Sequence, residues 1–325
     1  MLNNMGAYAD VPGVNLAIGT HDGNANFASA PTVYSGITVG GVVPYVSPPT
    51  PVVAGADGKL LIAISVPDGV TVQSGTGGNI TCRLNTGTVV VNPLGGAPTS
   101  AQTVFPYNIQ LEFTTKAKRV VVVGDSISVG VNTYWDVPGL GAAPYYAMGL
   151  NHGYAVCTYG VSGARMYDVF DDQQAEMSAA TYQAQSQLAA VVRDAVVIIE
   201  VGINDVQFAH VAGGVTTYQS FIAMVDKAVT WLRAHGAKAI VFETLAAASA
   251  YEGSYGANRV EYCNWIATKP FGIDAVIDRD QLMSTAPRTV GTTLKAAYDS
   301  GDGTHPNAVG ELVLSEAAFA VISTL

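Results

Sequence analysis

The feature that most constrains this chain is a change of rhythm after residue 116. From there, short and almost unbroken apolar runs alternate with segments of helical period. The runs are Arg119 to Gly124, Tyr154 to Tyr159, Ala195 to Val201, Ala237 to Leu245 and Asp274 to Ile277. Between the third and fourth, "YQSFIAMVDKAVTWLRAHG" spaces Phe221, Ile222, Val225, Val229 and Leu232 as one helix face and stops at Gly236. "YCNWIA" reads as helix before the last run, and "PNAVGELVLSEAAFAVI" as a closing helix with Pro306 in its first turn. Strands that are apolar on both faces need cover on both faces, so the pattern predicts a parallel sheet between helices.

In such a sheet, sites form beyond the carboxyl ends of the strands. The first run ends in Gly124-Asp125-Ser126. The second ends in Gly160-Val161-Ser162-Gly163, and the third in Gly202-Ile203-Asn204-Asp205. All three polar endings are therefore expected on one rim.

Residues 1–115 read differently. They are rich in Gly, Pro, Thr and Val, and they alternate at strand period in "GKLLIAISV", "NITCRLNTGTVVV" and "YNIQLEFTT". A β-rich accessory module resembling a sandwich is expected there, with the first 50 residues as an extended arm and loops. The catalytic-type α/β module is expected over 116–325.

Only 12% of the 325 residues are charged, the net charge is −10, and basic clusters are lacking. Such a chain gains nothing from counterion release on nucleic acid or from an anionic membrane surface. No run reaches the roughly 20 apolar residues of a membrane span, and "MLNNMGAYADVPG" lacks the charged and apolar regions of a signal peptide. The weakly charged, Thr/Ser/Gly-rich texture suggests an extracellular or virion-associated protein. Cys82, Cys157 and Cys263 fit no metal or redox spacing and read as reduced core thiols.

Several motifs fail. "GLGAAP" lacks the last glycine of a dinucleotide loop, and "DSGDG" lacks the ligand spacing of a calcium loop. There is neither a Walker motif nor a Gly-x-Ser-x-Gly elbow. Neither a metal nor another cofactor is expected.

Ser126 alone would be an ordinary helix N-cap. A nucleophilic serine needs a base, usually a histidine oriented by a carboxylate. Of the five histidines only His305 has such surroundings, with Asp302 three residues earlier between Gly301 and Gly303. His21, His152, His210 and His235 lack them. An oxyanion needs donors. The Ser126 N–H, the N–H of a glycine in the second block and the Asn204 amide can supply them, while Asp205 reads as structural. Tyr134, Trp135, Tyr145 and Tyr146 could line a pocket or anchor the core.

Taken together, Gly124-Asp125-Ser126-Ile127-Ser128, Gly163, Gly202-Ile203-Asn204-Asp205 and Asp302-Gly303-Thr304-His305 resemble the motif blocks of the SGNH (GDSL-type) hydrolases over roughly 117–325. The resemblance implies a flavodoxin-like three-layer α/β/α fold and a serine esterase. It implies Ser126 as nucleophile, His305 as base and Asp302 as its orienter. Ser126, Gly163 and Asn204 would form the oxyanion hole. Gly163 follows Val-Ser as the family's glycine does; Gly160 is the competing choice. The substrate would be an acylated small molecule or polysaccharide, with short acyl groups, acetyl first, and a carbohydrate deacetylase as the leading reading. A short-chain esterase or lipase on small lipidic esters, or a binding protein that kept the fold without turnover, are the alternatives. The oligomeric state stays open.

Overall fold

The computed structural model describes residues 2–4, 11–20, 27–39, 48, 60–65, 107–109, 118–128, 130, 145, 148, 151–160, 163–170, 188, 189, 191–207 and 218–325. The chain divides into two compact units, Met1–Thr114 and Thr115–Leu325.

In the first unit, β1 (Leu2–Asn4) pairs antiparallel with β5 (Tyr107–Ile109). A second antiparallel sheet has the order β3-β2-β4, from β2 (Val11–Thr20), β3 (Thr32–Val39) and β4 (Leu60–Ser65). The first 50 residues are therefore not simply arm and loops, because they supply the central strand of this sheet. Two signals hid it. Pro12-Gly13 looks like loop punctuation but lies where the β2–β3 register shifts, with Gly13 at φ +77°. Buried Val14, Leu16, Ala17 and Ile18 also fall on both faces, so the strand shows no clean alternation. The run containing Cys82 lies outside the described residues.

In the second unit the expected strands appear within two residues of their expected ends: β6 (Arg119–Gly124), β7 (Ala155–Gly160), β8 (Val196–Ile199), β9 (Ala239–Glu243) and β10 (Ala275–Ile277). All neighbours are parallel, in the order β10-β9-β8-β6-β7. This is the flavodoxin-type order, which reverses between the first and third strands of the sheet. Successive residues of β6 point to opposite faces. Val121 and Val123 join one core with Val197, Ile199, Ile240 and Phe242, while Val120 and Val122 join the other with Val196, Ile198 and Val241.

The first core is covered by α1 (Met166–Phe170), α3 (Tyr218–Ala234) and α4 (Ser249–Ile266); α2 (Ile203–Gln207) follows β8. The second is covered by α5 (Arg279–Met283) and α6 (Ala308–Ile322). Helix α3 buries Val225, Val229 and Leu232 and ends before Gly236, whose φ of +83° reverses the chain as expected. Pro306 is not in the first turn of α6. Asn307 is the N-cap, its Oδ1 accepting from Val309 and Gly310 N–H at 3.0 Å, and this displaces Pro306 to the position before the cap.

Cys263 is a buried free thiol in α4, pushed up to about 12 by burial. Tyr145 is fully buried in the second core and so is not a pocket residue; Tyr134, Trp135 and Tyr146 lie outside the described residues. His152 does have a carboxylate partner, Glu316 at 2.9 Å, and it stacks on Phe319.

Candidate active site

Register explains why the polar endings meet. Gly124 at the end of β6 pairs with Gly160 at the end of β7, and Val123 pairs with Ile199 at the end of β8. Ser126 sits two residues beyond β6 in a tight turn. Ile127 N–H donates to Asp125 Oδ1 at 3.0 Å, and Ser128 Oγ donates to the Asp125 carbonyl at 3.0 Å. The turn is thus closed by its own polar groups, and Ser126 is left half-buried between a fully buried aspartate and a buried isoleucine.

The histidine arrives from a loop 179 residues away. His305 Nε2 lies 2.9 Å from Ser126 Oγ, and His305 Nδ1 lies 2.6 Å from Asp302 Oδ2. The other carboxylate oxygen, Oδ1, accepts the N–H groups of Thr304 (2.9 Å) and His305 (2.8 Å). Burial pushes the Asp302 carboxyl up. The His305 N–H and ring and the Thr304 N–H more than offset that, leaving it well below the usual carboxylate range.

The loop is braced in turn. Asp299 Oδ1 accepts from Gly301 and Gly303 N–H at 2.9 Å. Ser249 N–H donates to the Gly303 carbonyl at 2.9 Å, and Ser249 Oγ fills the space where a Cβ on Gly303 would stand. Ser249 had no signature in the sequence; only its place opposite a positive-φ glycine reveals it.

Asn204, on α2, is buried. Its Nδ2 donates to the Ala164 carbonyl (2.9 Å) and to Asp125 Oδ2 (3.2 Å). Asp205 accepts Met166 N–H at 2.8 Å and so tethers the start of α1. Gly163 adopts φ +80° in open space, a conformation that disfavours any side chain, whereas Gly160 lies within regular strand. Among the described residues, no group of three or more His, Cys, Asp or Glu is placed to hold a metal ion.

Behind the turn lies a feature the motif reading missed. Glu200 and Arg279 are buried next to Asp125, and Glu243 and Glu311 are buried around the same arginine. Arg279 Nη1 donates to Glu200 Oε1 at 2.6 Å and to Glu243 Oε2 at 3.5 Å, and Glu200 Oε2 accepts Asp125 N–H at 3.0 Å. Burial pushes Glu243 up to about 7 against the pull of Arg279. Burial also holds Asp125 and Glu311 well above the usual range, with Glu200 adding to both.

Residues 122–312 match the family model of the GDSL-like Lipase/Acylhydrolase family. The chain belongs to this family. It is accordingly a carboxylic ester hydrolase acting on acylated substrates. No curated protein matches the chain. Among solved structures, this GDSL-like protein is similar to TesA (18% identity, 62% of this chain and 97% of that one, TM-score 0.44). It is also similar to the acetyl xylan esterase AlAXEase (19%, 62% and 98%, TM-score 0.42). A third similar structure is protein YXIM from Bacillus subtilis (15%, 97% of this chain and 79% of that one, TM-score 0.45).

Proposed function

We propose that this acylhydrolase works through Ser126 as nucleophile, His305 as general base and Asp302 as the group that orients the base. The observation that carries the reading is the continuous relay from Ser126 Oγ to His305 Nε2 (2.9 Å) and from His305 Nδ1 to Asp302 Oδ2 (2.6 Å). Ser126 Oγ attacks the ester carbonyl carbon while His305 Nε2 takes its proton. The tetrahedral adduct collapses, the alcohol leaves with the proton held by His305, and the acyl group stays on Ser126. Water then attacks the acyl-enzyme with His305 again as base, releasing the acid and restoring the serine.

The negative oxygen of each adduct is stabilised by the N–H groups of Ser126 and Gly163 and by the Asn204 amide. For Asn204 to donate there, one amide hydrogen must leave its present acceptor. The bond to Asp125 Oδ2, at 3.2 Å, is the longer and cheaper one to give up. Asn204→Ala is expected to lower kcat by about 10²–10³-fold with the fold retained by circular dichroism. A folded variant with undiminished kcat would remove Asn204 from the hole.

Gly303→Ala probes the base loop. Gly303 has φ +73°, and its added Cβ would intrude on Ser249 Oγ. The loop would have to shift, and a displacement of about 1 Å at His305 is expected to lower kcat about 10²-fold. Steady-state hydrolysis of p-nitrophenyl acetate checks this.

The finer reading is removal of short acyl groups, acetyl above all, from a carbohydrate. It is supported by the β-rich unit ahead of the hydrolase and by a surface poor in charge, since sugar hydroxyls offer hydrogen bonds and no charge to pair. Hydrolysis of p-nitrophenyl esters from acetate to decanoate, followed by release of acetate from acetylated polysaccharide, tests it. A steep preference for acetate with release from the polymer is the expected result. A preference for longer chains would instead indicate small lipidic esters, and inertness toward every ester together with absent fluorophosphonate labelling would indicate a binding protein.

A further inference from the structure

The turn that carries Ser126 is held from behind by a buried ion pair. Glu200 and Arg279 are 1% and 2% exposed. The Glu200 carboxylate accepts at both ends, from Arg279 Nη1 at 2.6 Å and from the Asp125 backbone N–H at 3.0 Å. The Glu200 backbone is itself fixed to β6, its N–H donating to the Val123 carbonyl at 2.8 Å. Arg279 opens α5, whose N-cap Asp278 accepts from Gln281 N–H. A Cβ on Gly124 would collide with Glu200 Oε2 and stand 2.6 Å from Ser128 Cβ, so the carboxylate occupies the space that glycine vacates. A rigid line therefore runs from α5 through Arg279 and Glu200 to the peptide next to Ser126.

An ion pair this deep is a poor route to stability, because taking both charges out of water offsets most of their attraction. Its geometry instead addresses one peptide N–H, at the one turn where a displacement of the chain moves a reacting atom. We infer that Glu200 and Arg279 are positioning residues for the nucleophile: they fix the Asp125 peptide, and thereby keep Ser126 Oγ in register with His305 Nε2. The inference rests on Ser126 being the nucleophile. Glu200 touches neither substrate nor reacting atoms; it acts through the turn.

Such a device affects turnover and leaves substrate binding alone. With p-nitrophenyl acetate, Glu200→Ala is expected to lower kcat about 10²-fold with KM within about twofold, in parallel with the rate of fluorophosphonate labelling. Glu200→Gln keeps an oxygen for the Asp125 N–H and is expected to recover about tenfold of that loss. Arg279→Lys, which keeps a charge but not the reach of the guanidinium, is expected to fall between the two. Glu243→Gln is the control. It faces the same Arg279 at 3.5 Å without touching the turn, and its kcat should equal that of the wild type. Ser126→Ala is assayed alongside.

Wild-type kcat in folded Glu200→Ala would overturn the inference, as would a loss in Glu243→Gln equal to that in Glu200→Gln. Should Glu200→Ala fail to fold, Glu200→Gln and Arg279→Lys decide: wild-type kcat in both overturns it, and lowered kcat at constant KM supports it. Retained activity in Ser126→Ala would sink the nucleophile reading itself. Inactive Ser126→Ala beside fully active Glu200 variants would sink only the positioning role.

Discussion

Replacing Ser126 by alanine is expected to lower kcat for p-nitrophenyl acetate by about 10⁴-fold or more, with melting temperature and secondary structure unchanged. The expected loss is large because, among the described residues, Ser126 Oγ is the only hydroxyl hydrogen-bonded to the His305 ring. Ser128, the other hydroxyl in the turn, is fully buried and donates to the Asp125 carbonyl, so it is occupied in holding the turn. The expected structural effect is small because the Ser126 hydroxyl faces His305 at the partly buried rim. Covalent labelling by a fluorophosphonate should vanish in the same variant. Turnover that survives the substitution would mean that the hydroxyl facing His305 is not the one that attacks.

The placement of this relay was legible because its residues sit in strong local contexts. A valine strand ending in Gly124-Asp125-Ser126 can only deliver that serine to the carboxyl rim of a parallel sheet. An Asp302-x-x-His305 pair flanked by glycines can close on itself. The helix α3 and the strands were legible for a similar reason: each presents one unbroken periodicity. β2 was not, since a strand buried on both faces with a bulge at Pro12-Gly13 carries neither alternation nor a clean boundary. The charged cluster was missed for a different reason. Glu200 and Glu243 each stand at the end of an otherwise apolar strand, and Arg279 just after one. Each looks like a strand terminus meeting water. That the ends of three different strands turn inward to share one buried site is a property of sheet order, which no single segment contains.

That cluster leads to the second large effect, which concerns stability. Unfolded carboxyl groups titrate near 4. In the folded protein Glu243 titrates at about 7, and Asp125 and Glu311 well above the usual range, so the native state binds more protons than the unfolded chain across the interval between. Folding stability must then fall as pH rises through that interval. For Glu243 the fall begins near 4.5, is complete above about 7 and amounts to roughly 3 kcal/mol. Its surroundings set this direction: burial favours the neutral form and outweighs Arg279, whose charge and hydrogen bond favour the ionised one.

Asp302 acts in the opposite sense, since its folded carboxyl is held low. The stability it supplies is present above about 4 and disappears only in stronger acid. The urea midpoint is accordingly expected to be higher at pH 5 than at pH 8. Glu243→Gln, which fixes the neutral state, should flatten the slope between them. A midpoint that stays level or rises over this range would show that these carboxyls ionise freely inside the fold.

The two halves of the relay also differ in when they can exist. The acid and the base are three residues apart, and residues 299–305 knit them together with their own backbone, whereas the serine lies 179 residues earlier in the chain. At a synthesis rate of about 5–20 residues per second, roughly 10–40 s separate the emergence of Ser126 from that of His305. Throughout that interval the nascent chain holds Ser126 without its proposed base. On the proposed relay, hydrolytic competence switches on only after His305 has emerged and the segment that ends in α6 seats itself against the sheet, so the onset of ester cleavage would mark the moment at which the α/β unit has closed.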